Sequence, residues 1–242
     1  MDLNRRSLIK GSVAAGVTAL FGTAAQASTK VPAKWDESHD VVVIGSGFAG
    51  LAAAIEAKKA GADTVVLEKM PTAGGNSIIN GSILTATCCP QQLKHGIKDS
   101  PELLAFDMLA AGLYMNQPEK VKLVAKSALS NYEWTVKDLE VIGQEGGHSV
   151  PRYVFTKNGS GSGIVSKELE KLKKMGVPVR PRCYVERIFR DDSGRVVGIQ
   201  IREGYRFPKA GSGKVKTIGV KKGLVLCYGG FSRDVDYRMM QD

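Results

Sequence analysis

Two features of the amino-acid sequence have residue types and spacing suited to holding a dinucleotide. The first is a G-x-G-x-x-G run, Gly45 to Gly50, that directly follows the apolar residues 41–44. The second is an acid, Glu68, that ends the next apolar run eighteen positions after Gly50 (68 − 50). Strand, glycine turn, small-residue helix and terminal acid in this order are typical of a dinucleotide-binding βαβ unit. The sequence therefore predicts a site for FAD or NAD.

Each residue type in this unit has a physical reason. Gly45 allows the strand to turn sharply, Gly47 places no Cβ between the backbone and a pyrophosphate, and Gly50 allows helix and strand to pack closely. The helix N-terminus then offers N–H groups and the positive end of its dipole to the phosphates. Glu68 is placed to accept hydrogen bonds from a ribose 2′-hydroxyl, and its charge would repel a 2′-phosphate. We therefore expect NADP to be disfavoured.

A second glycine-rich segment, Gly74 to Ser82, follows soon after Glu68. NAD enzymes do not need such a loop, whereas FAD must also be held along its ribityl chain and isoalloxazine ring. Glycine lets the backbone approach the ring, and Asn76 and Ser77 supply hydrogen-bonding groups. The segment therefore favours FAD. Its other interpretation is an ordinary surface turn, because Gly, Asn and Ser are common in turns.

Five motifs in this order carry a resemblance to a known family. They are the G-x-G-x-x-G unit, the pair Glu68-Lys69, the run Gly74-Gly75-Asn76-Ser77, the segment Gly146 to Arg152 and the late segment Gly223 to Phe231. Together they resemble the FAD-binding domain of soluble periplasmic fumarate reductases, within the wider group of fumarate, succinate, urocanate and 3-ketosteroid flavoprotein oxidoreductases. The resemblance implies an α/β, Rossmann-like FAD-binding domain with a parallel central sheet and an added β-hairpin or meander.

The resemblance also implies which residues contact FAD. The pyrophosphate would lie against the first glycine loop, the adenosine ribose against Glu68, the adenine against Val185 and the flavin against the second loop, with Gly229 and Gly230 passing under the cofactor. The full set is Ser46, Gly47, Ala49, Gly50, Glu68, Lys69, Gly75, Asn76, Ser77, Gly81, Ser82, Val185, Gly229 and Gly230.

The sequence departs from the family pattern in two places. Ser82 stands where a second glycine is usual, and Cys227-Tyr228 stand where Ala-Thr is usual. Both departures bear on how tightly the flavin is held. Membrane-bound relatives attach FAD covalently to a histidine at the position of Asn76, and an asparagine cannot form that bond. The resemblance therefore implies noncovalent FAD.

The amino terminus has the pattern of an export signal. Arg5 and Arg6 are adjacent, residues 11–25 form an apolar stretch of small residues, and Ala25-Gln26-Ala27 has the form of a cleavage site. The pattern resembles a twin-arginine signal, which predicts the twin-arginine translocase as a partner and a periplasmic location; the alternative is an uncleaved anchor. The predicted organisation is a signal peptide over 1–27, a linker over 28–39 and an FAD-binding domain over 40–242.

Composition agrees with one globular domain behind that signal. The 242 residues are 43% hydrophobic and 24% charged, with a formal net charge of +10. The positive charge is spread along the chain, as at Lys120, Lys122 and Lys126, which is typical of solvated helix faces. No nucleic-acid partner is predicted, and a modest attraction for a dicarboxylate is left open.

The four cysteines form no C-x-x-C pair, so the sequence predicts neither haem attachment nor a cysteine-based zinc site, and no metal ligand is assigned. Some periplasmic fumarate reductases carry their own haem domain. Here we expect electrons to come from a separate donor such as a cytochrome.

The elements that must position these residues alternate as in an α/β domain. Residues 223–226 are expected to form a buried parallel strand of the central sheet, and His39 to precede the first strand. The loop 159–163 has two interpretations, a flexible entry that caps the next helix or a direct contact with flavin or substrate. Helices are predicted over 51–60, 101–111, 118–136 and 164–175, and further strands over 177–179, 185–190, 196–202 and 215–220.

No catalytic residue is assigned. His148, with Ser149 and Arg152, lies in a segment that the resemblance places on the substrate side of the flavin, where it either orients a carboxylate or is structural. The family's proton-donating arginine and most of its carboxylate-binding groups match no residue of this sequence. We therefore expect an FAD-dependent oxidoreductase that reduces an enoate such as fumarate, incomplete as an isolated chain. The alternatives are a complete small FAD-binding or electron-transfer protein and a noncatalytic subunit that needs a separately encoded partner.

Overall fold

The computed structural model describes residues 30–139, 145–146, 149–230, 232 and 234–240. The predicted signal peptide and His148 lie outside the described residues. The strands are β1 (Glu37–Ile44), β2 (Thr64–Leu67), β3 (Leu84–Thr85), β4 (Glu145–Gly146), β5 (Tyr153–Val154), β6 (Val179–Arg180), β7 (Cys183–Arg190), β8 (Val196–Glu203) and β9 (Lys214–Leu226). The helices are α1 (Phe48–Lys59), α2 (Pro90–Lys94), α3 (Pro101–Ala111), α4 (Pro118–Leu139), α5 (Ser162–Lys174) and α6 (Val235–Met239), with a short 3-10 turn over Gly75–Ile78.

The main sheet has six strands in the order β6-β2-β1-β9-β8-β7. The pairs β6-β2, β2-β1 and β1-β9 are parallel, and the pairs β9-β8 and β8-β7 are antiparallel. Helix α1 makes the crossover between β1 and β2, which completes the predicted βαβ unit. The expected α/β fold, a parallel central sheet with an added meander, is confirmed.

Successive residues of a strand face opposite sides of a sheet, so β1 and β2 each contribute to two cores. Val43 and Val66 pack on one side with apolar residues of α1 and α5, among them Ile55. Val42 and Val65 pack on the other side with the meander strands β7, β8 and β9. Burial on both faces explains why these two strands are continuous apolar runs without alternation.

Strand β9 joins the parallel and the antiparallel parts of the sheet. The sequence predicted two strands, 215–220 and 223–226, but the structure has one strand of 13 residues because Lys221 and Lys222 continue the extended backbone. The predicted burial of the second part is wrong. Residues 223–225 are only half-buried and Leu226 is exposed, since residues 223–226 pair with β1 but the pairing of β9 with β8 covers only residues 214–219.

Strand β1 begins before the position that the sequence suggested. His39 lies within β1 rather than before it, and its Nδ1 is 3.0 Å from Asp63 Oδ2, next to the start of β2. Trp35 packs against the backbone of the meander: a Cβ added to Gly198 would lie 2.2 Å from Trp35 Cη2. Residues at the end of the predicted linker therefore pack on the sheet.

The rest of the chain forms a helical pair and a small sheet. Helices α3 and α4 begin with Pro101 and Pro118, as predicted, and pack through a cluster that includes Leu104 and Val121. The sequence did not predict the three-stranded sheet β3-β5-β4, because strands of two residues carry no periodic signal. Within the described residues, no helix has the length and apolar character needed to cross a membrane.

Candidate cofactor-binding site

The carboxyl ends of β1, β2 and β9 meet at one edge of the main sheet, which we call the cofactor edge. The N–H of Gly45 donates to the carbonyl of Leu67, and the N–H of Cys227 donates to the carbonyl of Ile44, both at 2.8 Å. Gly45 has φ +97°, and a Cβ there would lie 2.3 Å from the Cys227 carbonyl oxygen. A Cβ on Gly50 would lie 1.9 Å from the Gly45 carbonyl oxygen. Both positions therefore require glycine, and the edge is where open parallel sheets bind ligands.

Glu68 directly follows β2 at this edge, with 6% of its surface exposed. Its carboxylate accepts three hydrogen bonds, from the Ser46 N–H at 3.1 Å, the Ser46 hydroxyl at 2.5 Å and the Met70 N–H at 2.8 Å. These donors fix the orientation of the acid before any ligand arrives, as a ribose acceptor requires.

Ser46 is completely buried, and its hydroxyl has two partners. It donates to Glu68 and accepts from the Gly74 N–H at 3.0 Å. The resemblance assigned Ser46 to the pyrophosphate, whereas the structure places both its N–H and its hydroxyl on Glu68. Ser46 thus connects the first glycine loop to Glu68 and to the second glycine loop.

The start of helix α1 faces the same edge. The first N–H groups of a helix have no partner within the helix. Here the Phe48 N–H donates to Ser77 Oγ at 3.1 Å, and Ala49 beside it is exposed. A Cβ on Gly47 would lie 3.0 Å from the same Ser77 Oγ, so the glycine makes room for this contact. Two loops that are distant in sequence therefore meet at the helix N-terminus.

Exposed glycines line the rest of the edge. A Cβ added to Gly75, Gly81 or Gly229 would meet no other atom within 4 Å, and Gly75 and Gly229 have positive φ angles of +48° and +83°. Asn76 and Gly230 are also exposed. The backbone is therefore uncovered at these positions, which fits a flat ring system approached by backbone.

Ser82 differs from its neighbours because its side chain points into the protein. It has φ +56° and is 2% exposed, and its hydroxyl accepts the Thr156 N–H at 3.0 Å. A glycine at this position would have neither the strain nor the bond. The resemblance assigned Ser82 to the flavin, but its hydroxyl contacts the protein instead.

The start of β7 lies next to Glu68. The N–H of Cys183 donates to the Glu68 carbonyl at 2.8 Å. Val185 lies two residues further along β7, half-buried against the meander core. Lys69 is exposed, and its Nζ lies 5.3 Å from the centroid of the Phe207 ring.

The loop 159–163 contacts the second glycine loop. The Ser160 hydroxyl donates to the Ile78 carbonyl at 3.1 Å, and the Gly161 N–H donates to the Asn80 carbonyl at 2.8 Å. The loop therefore holds the second glycine loop against the start of α5. Sequence reasoning missed this role, although the polar run 158–162 beside a predicted helix start was a signal for it.

The resemblance placed the segment that ends at Arg152 on the substrate side of the flavin, but the structure buries the Arg152 side chain inside the protein. The Arg152 side chain is 0% exposed and makes a two-pronged ion pair with Asp99, with both nitrogen–oxygen distances at 2.8 Å. It also contacts Asp107, which accepts a hydrogen bond from Ser149. The guanidinium is thus used inside the protein. His148, the other candidate, lies outside the described residues.

Electrostatics agree with this closed cluster. Burial alone would raise the pKa of Asp99, but hydrogen bonds from Arg152 and Gln92 outweigh it, so the pKa of Asp99 lies below its usual value. Gln92 also donates to the Pro151 carbonyl at 2.7 Å. The described residues contain four cysteines, all free, and no group of three or more potential metal ligands.

The edge fits FAD by its own geometry: a preset acceptor for a ribose, a helix N-terminus for a pyrophosphate and open glycine-lined space for a ring. Comparison with known proteins agrees. Residues 40–241 match the family model described as "FAD binding domain". Over 99% of this chain, the sequence is 39% identical to an acrylate reductase flavoprotein subunit of Shewanella woodyi, covering 49% of that protein.

Two further relatives point the same way. A fumarate reductase (cytochrome) of Shewanella frigidimarina is 32% identical over 82% of this chain and 34% of its own length. A flavocytochrome c3 fumarate reductase in an open conformation superposes with a TM-score of 0.74 and 28% identity, over 86% of this chain and 37% of that one. The chain thus spans half or less of the length of these relatives. The chain belongs to the FAD-binding domain family of the acrylate and fumarate reductase flavoproteins, and its cofactor is FAD.

Proposed function

We propose that this chain provides the FAD site of an oxidoreductase that reduces an enoate such as fumarate or acrylate. The observation that carries the proposal is the carboxylate of Glu68, held by Ser46 and Met70 at an edge lined by exposed glycines. The reductases among its relatives supply the reaction class.

Each part of the cofactor edge has a role in this proposal. Glu68 accepts from the adenosine ribose, Val185 meets the adenine, and the start of α1, with Gly47, Ala49 and Gly50, takes the pyrophosphate. When bound and reduced, FAD supplies a hydride to the alkene. The flavin lies against the second loop and passes over the late glycines; these residues are Lys69, Gly75, Asn76, Ser77, Gly81, Gly229 and Gly230, together with the backbone of Ser82.

Reduction of an enoate also needs a proton donor and cations for the substrate carboxylate. Arg152 is not available for either task, because Asp99 and Asp107 already hold it inside the protein. We therefore propose that neither group is Arg152 and that electrons come from a separate donor such as a cytochrome.

Titration of the purified chain with FAD tests the cofactor assignment. We expect quenching of flavin fluorescence, release of the flavin when the protein is precipitated by acid, and no competition by NADP. Flavin that stays with the precipitate would show that the noncovalent assignment is wrong. Selective binding of NADP would contradict the role of Glu68.

A viologen assay tests the reaction class. With FAD and a reduced viologen dye, we expect the isolated chain to oxidise the dye very slowly when fumarate or acrylate is added, because general acid catalysis alone typically contributes about 10²–10⁴-fold. Rapid turnover that disappears in His148→Ala would place the proton donor in the segment 146–152 and overturn this part of the proposal.

We further propose export to the periplasm by the twin-arginine translocase, with residues 1–27 as the signal, 28–39 as the linker and 40–242 as the FAD-binding domain. The support is the adjacent pair Arg5-Arg6 before an apolar stretch and an A-x-A site. Changing both arginines to lysine keeps the charge, so we expect the precursor to stay in the cytoplasm. Processed periplasmic protein in that variant would contradict the assignment.

A further inference from the structure

The second glycine loop contains a residue whose conformation needs an explanation. Ser82 has φ +56°, a left-handed conformation that is unfavourable for a residue with a Cβ. It is also almost completely buried, so its hydroxyl needs a hydrogen-bond partner inside the protein. The strain persists only if the surroundings hold the residue in place.

The partner is Thr156, which lies just after β5 and is also buried. The Thr156 N–H donates to Ser82 Oγ at 3.0 Å, and the two hydroxyl oxygens are 2.7 Å apart. Thr156 Oγ1 lies a further 2.8 Å from the Ser160 carbonyl oxygen and 2.8 Å from Asn158 Oδ1. The Ser82 hydroxyl can therefore donate to Thr156, whose own proton goes to one of these two acceptors. We call the Ser82–Thr156 pair the hydroxyl bridge.

The same loop is held at its other residues. Asn80 donates to the Ser77 carbonyl at 2.7 Å and accepts the Ser82 N–H at 2.6 Å. The Asn80 carbonyl accepts the Gly161 N–H, and a Cβ on Gly161 would lie 1.9 Å from the Ser77 carbonyl oxygen. The loop is thus fixed internally and pressed onto the residues that begin α5.

Helix α5 is a rigid support for this arrangement. Its residues Val165 and Leu172 are fully buried in the core that also contains α1 and β1. A loop tied to the start of α5 is therefore tied to the same core that carries the first glycine loop.

We propose that the hydroxyl bridge is a positioning device that sets the second glycine loop in the shape that receives the flavin half of FAD. Neither side chain touches the cofactor; Thr156 acts through Ser82 and the backbone of residues 77–82. The inference rests on the proposed placement of the flavin against this loop. The two halves of the cofactor site then depend on different residues. The adenosine half depends on Ser46 and Glu68, and the flavin half depends on the hydroxyl bridge.

The test compares FAD with ADP, which carries the adenosine and pyrophosphate but no flavin. Thr156→Val removes the hydroxyl at nearly constant shape, and we expect about tenfold weaker FAD binding, since one hydrogen bond between uncharged groups is typically worth about that factor. ADP affinity should change less than twofold. Thr156→Ser keeps the hydroxyl and should restore FAD affinity. Thr135→Val, a buried threonine of α4 that bonds to Asn131, is the matched control and should change neither ligand.

Ser82 variants separate the bond from the strain. Ser82→Ala keeps the Cβ and loses the hydroxyl, whereas Ser82→Gly also relieves the left-handed backbone. Both should weaken FAD and spare ADP. Thr156→Val combined with Ser82→Ala should weaken FAD by less than the sum of the two single effects, because both variants remove the bond between the two hydroxyls. Hydrogen exchange of residues 75–82 should become faster in each variant, while that of α1 stays unchanged.

The outcomes distinguish the two proposals. Normal FAD binding in Thr156→Val and Ser82→Gly, with a wild-type chain that binds FAD, would overturn the hydroxyl bridge alone. Equal losses of FAD and ADP would also overturn it, since the effect would then be general unfolding. A wild-type chain that binds ADP but not FAD would overturn the proposed flavin site and, with it, the purpose of the bridge.

Discussion

Two polar clusters of this molecule are built in opposite ways. At the cofactor edge, Glu68 is fixed by protein donors, but the glycines around it are exposed and have open space beside them. In the cluster around Arg152, the cation, both carboxylates and Gln92 bond to one another and to backbone, and the Arg152 side chain has no exposed surface.

The difference shows how to tell a binding site from a structural network. A buried network that satisfies its own hydrogen bonds holds elements together, here α2, α3 and the small sheet, and has no group left for a ligand. A site for a ligand combines fixed groups with uncovered ones. The resemblance placed the segment of Arg152 on the substrate side of the flavin, whereas the ion pairs of Arg152 assign it to the fold.

Removing Arg152 should produce the largest effect on stability. Arg152→Ala leaves Asp99 and Asp107 without their cation, and breaking a buried pair in this way typically costs about 3–5 kcal/mol. We expect a large drop in the midpoint of urea unfolding. Arg206→Ala removes an exposed arginine and is the control. Unchanged stability together with lost FAD affinity would mean that Arg152 serves the ligand site and not a structural network.

Glu168 tests the opposite case, a buried acid without a complete set of partners. It lies on α5 with 1% of its surface exposed; its Oε2 has no hydrogen-bond partner within the described residues, and burial raises the pKa of Glu168 to about 8. The folded state therefore prefers the protonated acid. Its contribution to stability is complete below the unfolded pKa, near 4.5, and is lost as the pH rises to about 8.

Glu168→Gln removes this titration while keeping the shape of the side chain. We expect the variant to be more stable than the wild type by up to about 3 kcal/mol at pH 7 and to show little gain at pH 4. Thermal unfolding at the two pH values measures it. Glu170→Gln, an exposed neighbour paired with Lys174 at 2.9 Å, should show no such gain. A gain that is equal at both pH values would contradict the role of the charge.

At the cofactor edge, Glu68→Gln should act mainly on ligand affinity. A hydrogen bond to a charged group is worth about 1.5–3 kcal/mol, so we expect FAD and ADP to bind roughly 10- to 100-fold more weakly. Loss of the negative charge should also reduce the difference between the affinities for FAD and NADP. Titration calorimetry with the three ligands measures both effects, with the exposed Glu133→Gln as control. Equal FAD affinity in the variant would remove Glu68 from the site.

The sequence predicted what depends on local spacing. Gly45, Gly50 and Glu68 lie within one βαβ unit, so their pattern was sufficient to predict the cofactor edge. The sequence did not predict contacts between residues that are distant along the chain. Arg152 bonds to Asp99, 53 positions away, and Ser82 bonds to Thr156, 74 positions away. No periodic or spacing signal indicates such pairs, because only the folded sheet and helices bring them together.

The smallest predicted effects come from two serines that cap helices in the two regions. Ser77 accepts the Phe48 N–H at the start of α1, and Ser100 accepts the Leu103 N–H at 3.1 Å at the start of α3. Replacing either by alanine should cost about 1 kcal/mol of stability, as loss of a cap typically does. Only Ser77→Ala should also weaken FAD, because Ser77 joins the second glycine loop to the helix N-terminus, whereas Ser100 lies beside the closed Arg152 cluster. Denaturant unfolding and FAD titration of the two variants, side by side, measure this. Equal loss of FAD affinity in both would mean that the cofactor edge depends on general stability rather than on its own contacts.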